Sequence, residues 1–481
     1  MTAVPPHTGA DALADFLGPG HRDVAEALAL WADDDGGTVA LPDDPWKATG
    51  YTDALVFSVV VGGMNSYARA EGDWNLVAKI VPAADRREIK AHRAAVADAP
   101  PRFAARRLVQ LRFGAVPVGG AKAVYFQDIA GGTTRHRPAS TLSPKDDAEA
   151  VVALCTAVSH SIATEWNTTV RTSGAPVPVA AFAHRELHHP LSGKGSVDRW
   201  ATAFGLDDRS VLWVSTADGE EAMPNPVLLA LGHPRLPERK IRVLEGHGHG
   251  DLHLGNIFLL VDDRGADPKS FRLIDLSTYS ASAPLARDQL TLLLSAVARF
   301  WPSLSPDQRE ALLDDIPRAH REAHPRQDPL LAGLIHSVFH STLRAVAKRN
   351  WSDAWHEQYV LALAATALRF TTFEDMGPRL RWWFVRLACR AAKEYFTSRG
   401  VPVGDGPVLR LRNPFDATAA RGTATTPHGT EPPAAPAPAA SGQARDAAPP
   451  YTRLRLDGIL PGRLGGPRPA ADGRRVPEDG E

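Results

Sequence analysis

HGHGDLHLGNIFLL, residues 247–260, is the densest cluster of reactive side chains in the sequence, a polar loop running into an apolar strand. Asp251 and Asn256 stand five positions apart just ahead of that strand. The spacing is that of the D-L-x-x-x-N pattern of phosphoryl transfer, in which a carboxylate accepts the proton of an attacking hydroxyl and an amide oxygen binds Mg²⁺. After the turn DDRGADPKS a second short strand, FRLID, delivers Asp275 at its end. Two antiparallel strands connected in this way bring Asp251, Asn256 and Asp275 to one rim. Carboxylate and amide oxygens are hard ligands of the kind Mg²⁺ prefers, with its other positions left for phosphate and water.

Upstream of this loop the texture is β-rich. LVFSVVVGG, NLVAKIV, RLVQLRF and KAVYFQDI, bounded by Gly, Pro or charged turns, predict an antiparallel sheet of about four or five strands. Between the second and third runs, DRREIKAHRAAV repeats apolar residues at helical spacing and predicts one helix. Before the sheet, residues 11–34 read as two helical pieces separated by Gly18-Pro19-Gly20. Beyond it, residues 146–166 form an amphipathic helix with acidic residues in its first turn, and residues 286–300, 306–323, 328–349 and 352–400 read as successive helices. Residues 184–245 give no assignment past an insertion with some helix. The division expected is a helical extension (1–50), a sheet lobe (51–135), a mainly α lobe (136–405) and a disordered tail (413–481). That tail holds 12 of the 40 prolines and only Phe415 and Tyr451 as aromatics, too little apolar area to offset its ordering entropy.

With these residues in place the chain resembles the aminoglycoside phosphotransferase and choline kinase family, the small-molecule branch of the protein-kinase-like fold. HGDLHLGN is close to that family's catalytic loop, and LID stands where its metal-binding Asp follows. The resemblance implies Asp251 as catalytic base, His249 as a structural member of the loop, Asn256 and Asp275 as metal ligands, and Asp288 as a buttress of the loop. It further implies that Lys79, in LVAKI, contacts the α- and β-phosphates. The turn Gly62-Gly63 with the Ser66 hydroxyl is expected at the phosphates, because glycine lets backbone N–H groups approach an anion. Glu88, nine residues past Lys79, is the acid expected to orient it. YFQDIAGG resembles the family's inter-lobe hinge, where backbone groups of Gln127, Asp128 and Ile129 are expected at adenine. The fold implied is two-lobed α+β, an antiparallel sheet with one helix followed by a mainly α lobe. ATP and Mg²⁺ are the implied cofactors and a small-molecule hydroxyl the implied acceptor. The Gly turn departs from GxGxxG, and Leu-Ser rather than Phe-Gly follows Asp275, which argues against a conventional protein kinase.

Two other readings compete. His247, His249, Asp251 and His253 approach the H-x-H-x-D-H zinc-hydrolase signature, with one residue too many. A degraded kinase-like scaffold that binds nucleotide, or nothing, without turnover is the other. At 481 residues the chain exceeds a single core, and Lys+Arg 54 against Asp+Glu 55 supply no field for nucleic acid or acidic membrane. Cys155 and Cys389 are too few for a disulfide framework and fit a reducing cytoplasm. No apolar run approaches the roughly 20 residues of a membrane span, and no secretory signal is visible at the N-terminus. Within the tail, YTRLRLDGIL is the one patch that fits a protein partner. For a cationic acceptor, Glu186, Asp198, Asp314, Glu374, Asp375, Trp382 and Trp383 are candidates.

Overall fold

The computed structural model describes residues 9–43, 45–49, 55–64, 73–82, 86–119, 122–128, 136–187, 191, 195–216, 219–404 and 408–411. Helices α1 (Gly9–Leu17) and α2 (Arg22–Asp34) part at Gly18, whose φ of 94° suits only glycine. Strands β1 (Thr38–Ala40), β2 (Lys47–Thr49), β3 (Leu55–Gly62) and β4 (Trp74–Pro82) follow. Next come α3 (Arg86–Asp98), α4 (Pro101–Arg107), β5 (Gln110–Val118) and β6 (Lys122–Asp128). The strands form one six-stranded antiparallel sheet in the order β1-β3-β4-β6-β5, with β2 also beside β3.

The sheet is larger than the sequence suggested because residues 38–49 supply two of its strands. The N-terminal helices are likewise part of this body. Val24, Ala25 and Leu28 of α2 pack on Phe57, Val59 and Val61, and Trp31 stacks on Phe126 at 5.0 Å. That apolar layer covers one face of the sheet, so β3 and β4 are buried on both faces and lose strict alternation. In place of the single helix expected after β4 there are two. Ala95 of α3, Ala99 just after it, and Phe103 and Ala104 of α4 join the larger core formed with the described residues that follow.

The larger body opens with β7 (His136–Pro138) and α5 (Ala148–Ser161), which continues into one π turn, Ile162–Trp166. The short strands β8 (Arg171–Thr172) and β9 (Val177–Pro178) follow. Residues 184–245 resolve into the end of α6 (Val179–Glu186), α7 (Ser196–Ala203), a hairpin β10 (Val211–Thr216) and β11 (Gly219–Pro224), α8 (Leu228–Leu231) and β12 (Lys240–Ile241). Then come β13 (Leu244–Gly248), β14 (Ile257–Asp262), β15 (Gly265–Leu273) and β16 (Ser280–Pro284). Helices α9 (Leu285–Phe300), α10 (Pro306–Asp315), α11 (Pro329–Ala347), α12 (Ser352–Phe370) and α13 (Gly377–Ser398) complete it, with β17 (Val408–Leu411) parallel to β10.

Local chemistry sets the helix ends. Ser305 and Gln308 close a capping box on α10, and Asp328 caps α11 by accepting from Leu330 N and Leu331 N. The helix expected over 306–323 stops at Asp315: Ile316 still donates its N–H to Leu312 O (3.1 Å), but Pro317 has no N–H with which to continue the ladder. The α12–α13 break lies at Thr371–Met376, before Gly377-Pro378. By length and composition α11 is apolar enough to cross a membrane, yet Leu331, Leu334, Ile335, Val338 and Phe339 lie in the large core. The tail beyond Leu411 lies outside the described residues.

Candidate active site

Strand β13 carries the loop, and its backbone is held at close range. Asn167, at the end of the π turn, accepts from His247 N through Oδ1 (2.7 Å) and donates from Nδ2 to His247 O (3.0 Å). Asp288, buried in the first turn of α9, accepts from His249 N (2.5 Å) and Gly250 N (2.9 Å). Burial pushes its carboxyl up, while His249 and these two N–H groups pull it down. The Gly-His alternation is explained by crowding on one side. A Cβ on Gly248 would come within 2.4 Å of Ala283 Cβ, and one on Gly250, whose φ is 87°, within 2.3 Å of Thr278 O.

His249 is fully buried and ties three segments together. Its Nε2 donates to Ile274 O (2.7 Å), its Nδ1 accepts from Asp251 N (3.4 Å), and its carbonyl accepts from Thr278 Oγ1 (2.8 Å). Asn256 donates its amide to Asp251 O (2.8 Å), and its own carbonyl accepts from Ile274 N (3.1 Å). β14 and β15 pair antiparallel with Ile257 opposite Leu273, so Asp251, Asn256 and Asp275 share one rim. Asp275 leaves β15 in a left-handed conformation (φ 54°, ψ 61°), strained for a non-glycine residue and held by these neighbours.

The sheet meets this rim at one ion cluster. Lys79 Nζ lies 2.5 Å from Glu88 Oε1 and 3.2 Å from Asp275 Oδ2. The Tyr125 hydroxyl also donates to Glu88. Burial alone would lower the Lys79 pKa, but Asp275 and Glu88 outweigh it and hold it above the ordinary lysine value. Asp275 is held below the ordinary carboxylate value: burial opposes this, and the Lys79 ammonium overrides it. Burial raises Glu88 against the pull of Lys79. Glu88 lies in the first turn of α3, directly after β4, which is how nine residues suffice to close the pair.

One turn beyond Glu88, His92 is buried and donates from Nε2 to Val109 O (2.8 Å). Burial lowers its pKa from 6.5 to about 4, so the folded state holds it neutral. Between those values the unfolded chain binds the extra proton, so stability rises with pH through the window and is lost as pH falls. Acidification from pH 7 to below 4 is expected to cost about 3 kcal/mol through this group. Urea unfolding against pH measures it; an acid limb unchanged in His92→Gln would contradict the assignment.

Several expected site residues lie elsewhere. Lys79 pairs with Val56 near the start of β3, whereas Gly62 ends that strand six residues on, about 20 Å away at the strand rise. The Gly62-Gly63 turn instead packs against Gly36 and Gly37 and pairs with Thr38, and a Cβ on Gly62 would strike Asp73 Oδ1. It does not share a phosphate site with Lys79. Ser66 lies outside the described residues. Gln127 and Asp128 sit inside the ladder, opposite Val77 and Leu76 on one side and Leu111 and Gln110 on the other. Their backbone groups face neighbouring strands, and the Asp128 carboxylate pairs with Arg112 at 2.6 Å. Ile129, the remaining hinge residue, lies outside the described residues. Among the acceptor candidates, Glu186 is bound by Arg287 (2.8 Å), Asp314 stands 3.5 Å from Arg390, and Trp383 is buried.

The donor set fits a hard divalent cation. Asp275 Oδ1 is buried without a hydrogen-bond partner, and the Asn256 amide nitrogen is committed to Asp251 O, leaving its oxygen as the donor. Zinc is poorly served, because both ring nitrogens of His249 are engaged and His247 Nδ1 is bonded to Tyr279 OH at 2.8 Å. Among the described residues no group of three His, Cys, Asp or Glu side chains is placed to hold a metal. The sequence assigned Asn167, Tyr125 and His92 no role at the site. Each acts through a partner distant in sequence and carries no local motif.

No protein-family model matches the chain, and no curated protein does. Among solved structures, one from Ralstonia eutropha JMP134, provisionally described as an aminoglycoside phosphotransferase, is similar at 15% identity and a TM-score of 0.39. That match covers 76% of this chain and 97% of the other. At that level of likeness the activity must be read from the site itself.

Proposed function

We propose that the chain is a phosphotransferase that moves the γ-phosphoryl group of Mg²⁺·ATP to a hydroxyl of a small molecule. The observation that carries this reading is the meeting of Lys79 with Asp275, 3.2 Å apart, on the rim that also bears Asp251 and Asn256. The sheet thereby contributes one cation, and the loop contributes a base and two oxygen donors. Asp251, its carboxylate partly exposed, is placed to orient an acceptor hydroxyl and take its proton as the new O–P bond forms and the bond to ADP breaks. Lys79 supplies positive charge toward the phosphates, and Glu88 fixes its position. Asn256 Oδ1 and the Asp275 carboxylate, whose Oδ1 has no hydrogen-bond partner, would hold Mg²⁺, which would neutralise phosphate charge when bound. Catalysis then rests on positioning and charge rather than covalent chemistry.

Thermal denaturation with and without ATP and Mg²⁺ tests the reading without knowledge of the acceptor. A ligand bound only by the folded state stabilises it by about 2.7 kcal/mol at a hundred times its Kd. A Mg²⁺-dependent rise in Tm that Asp275→Ala abolishes is expected. No shift at millimolar nucleotide would leave the scaffold reading as the better one.

A further inference from the structure

The sheet carries an aromatic residue on the same face as Lys79 that the mechanism above does not use. Trp46 directly precedes β2 and stands opposite Ser58: Trp46 N donates to Ser58 Oγ (2.9 Å), and Ser58 N donates to Trp46 O (3.0 Å). Ser58 is paired with Val77, and Val77 with Gln127. Trp46, Ser58, Val77 and Gln127 therefore form one cross-strand row. Strand alternation places Val77 on the face of Lys79, two residues on, which is the face turned toward Asp275.

Across from this row lie Phe258, two residues past Asn256, and Ile274, just before Asp275. Val77 and Phe258 pack together and are each 1% exposed, with Trp46, Val56 and Ile274 closing around them. The Trp46 ring meets Phe258 edge-on, with centroids 5.5 Å apart and planes at 70°. A planar base inserted between two such groups needs about 7 Å, twice the 3.5 Å contact distance of carbon atoms. No such gap exists. This seam is nevertheless the apolar surface beside Lys79 on which the base of a nucleotide, its phosphates at Lys79, would lie.

We propose that Trp46 is a gate: its indole occupies the nucleobase slot of the nucleotide-free protein, and the incoming base must displace it from Phe258. The inference rests on the nucleotide reading above. The Trp46 backbone is pinned by Ser58, so the side chain is the moving part. Affinity is lowered by the fraction of molecules whose slot is occupied by the indole.

Calorimetric titration of Mg²⁺·ATP into the wild type, Trp46→Ala and Trp46→Leu tests it, with melting curves confirming that each is folded. Trp46→Ala is expected to bind at least about tenfold more tightly than wild type, because the competing ring is gone. Trp46→Leu, which keeps an apolar contact with Phe258, is expected to fall between them and serves if the alanine variant does not fold. Equal binding in all three would overturn the gate. Weaker binding in both variants would overturn it too, and would make Trp46 a stacking wall for the base. Absence of binding in every variant, wild type included, would remove the nucleotide reading itself and the gate with it.

Discussion

Asp251→Asn is expected to lower turnover by a factor of about 10² to 10⁴ while leaving Mg²⁺·ATP binding close to wild type. The structure favours this separation because the loop is built on the main chain of Asp251. Asn256 bonds to its carbonyl, and His249 Nδ1 accepts from its N–H. The carboxylate's neighbour His253, with Nε2 at 3.6 Å from Oδ2, is buried, and burial lowers its pKa and favours the neutral ring. An isosteric amide therefore preserves the scaffold and removes only the proton acceptor. ADP release over a panel of hydroxyl acceptors, with affinity measured in parallel, separates the two effects. Turnover within a few-fold of wild type would sink the assignment of the base.

Lys79→Met is expected to cost about 3–5 kcal/mol of stability in addition to activity, the range for removing one partner from a buried ionic cluster. Lys79 is largely buried between Glu88 and Asp275, and its loss leaves two carboxylates facing each other with no cation between them. Each then resists ionisation, so the folded state binds protons more readily than the unfolded chain. The sign follows: the variant gains stability as pH falls from about 7.5 toward 5, as the carboxyls protonate. Urea unfolding at both pH values reads this out. A loss under about 1 kcal/mol with no pH dependence would show that the cluster contributes little net energy.

The ion cluster also shows where local reading stops. The loop that carries Asp251 and Asn256, and the hairpin that returns Asp275 to it, were legible because their signals lie within some thirty residues: five-residue spacing, apolar runs and a turn between them. Lys79 and Glu88 were found for the same reason, as a strand end and the helix that follows it. Gly62-Gly63 misled because a glycine pair marks a turn and says nothing of which strand end the turn occupies. Only the pairing of Val56 with Lys79 decided that, and register depends on partners elsewhere in the sheet.

The N-terminal helices show the same division. The spacing of Val24, Leu28 and Ala32 announced an amphipathic helix, while its docking through Trp31 onto Phe113 and Phe126 was invisible. The sequence by itself determined the long helices and the central strands of the sheet, the order of the reactive residues and the break in composition at the tail, because these follow from periodicity and residue chemistry over short stretches. Tertiary structure alone decided that Asn167 holds the β13 backbone and that Trp46 lies on Phe258. Such contacts join residues about 80 and 200 positions apart. Chain closure over those lengths is directed by burial of whole faces, which no local pattern encodes.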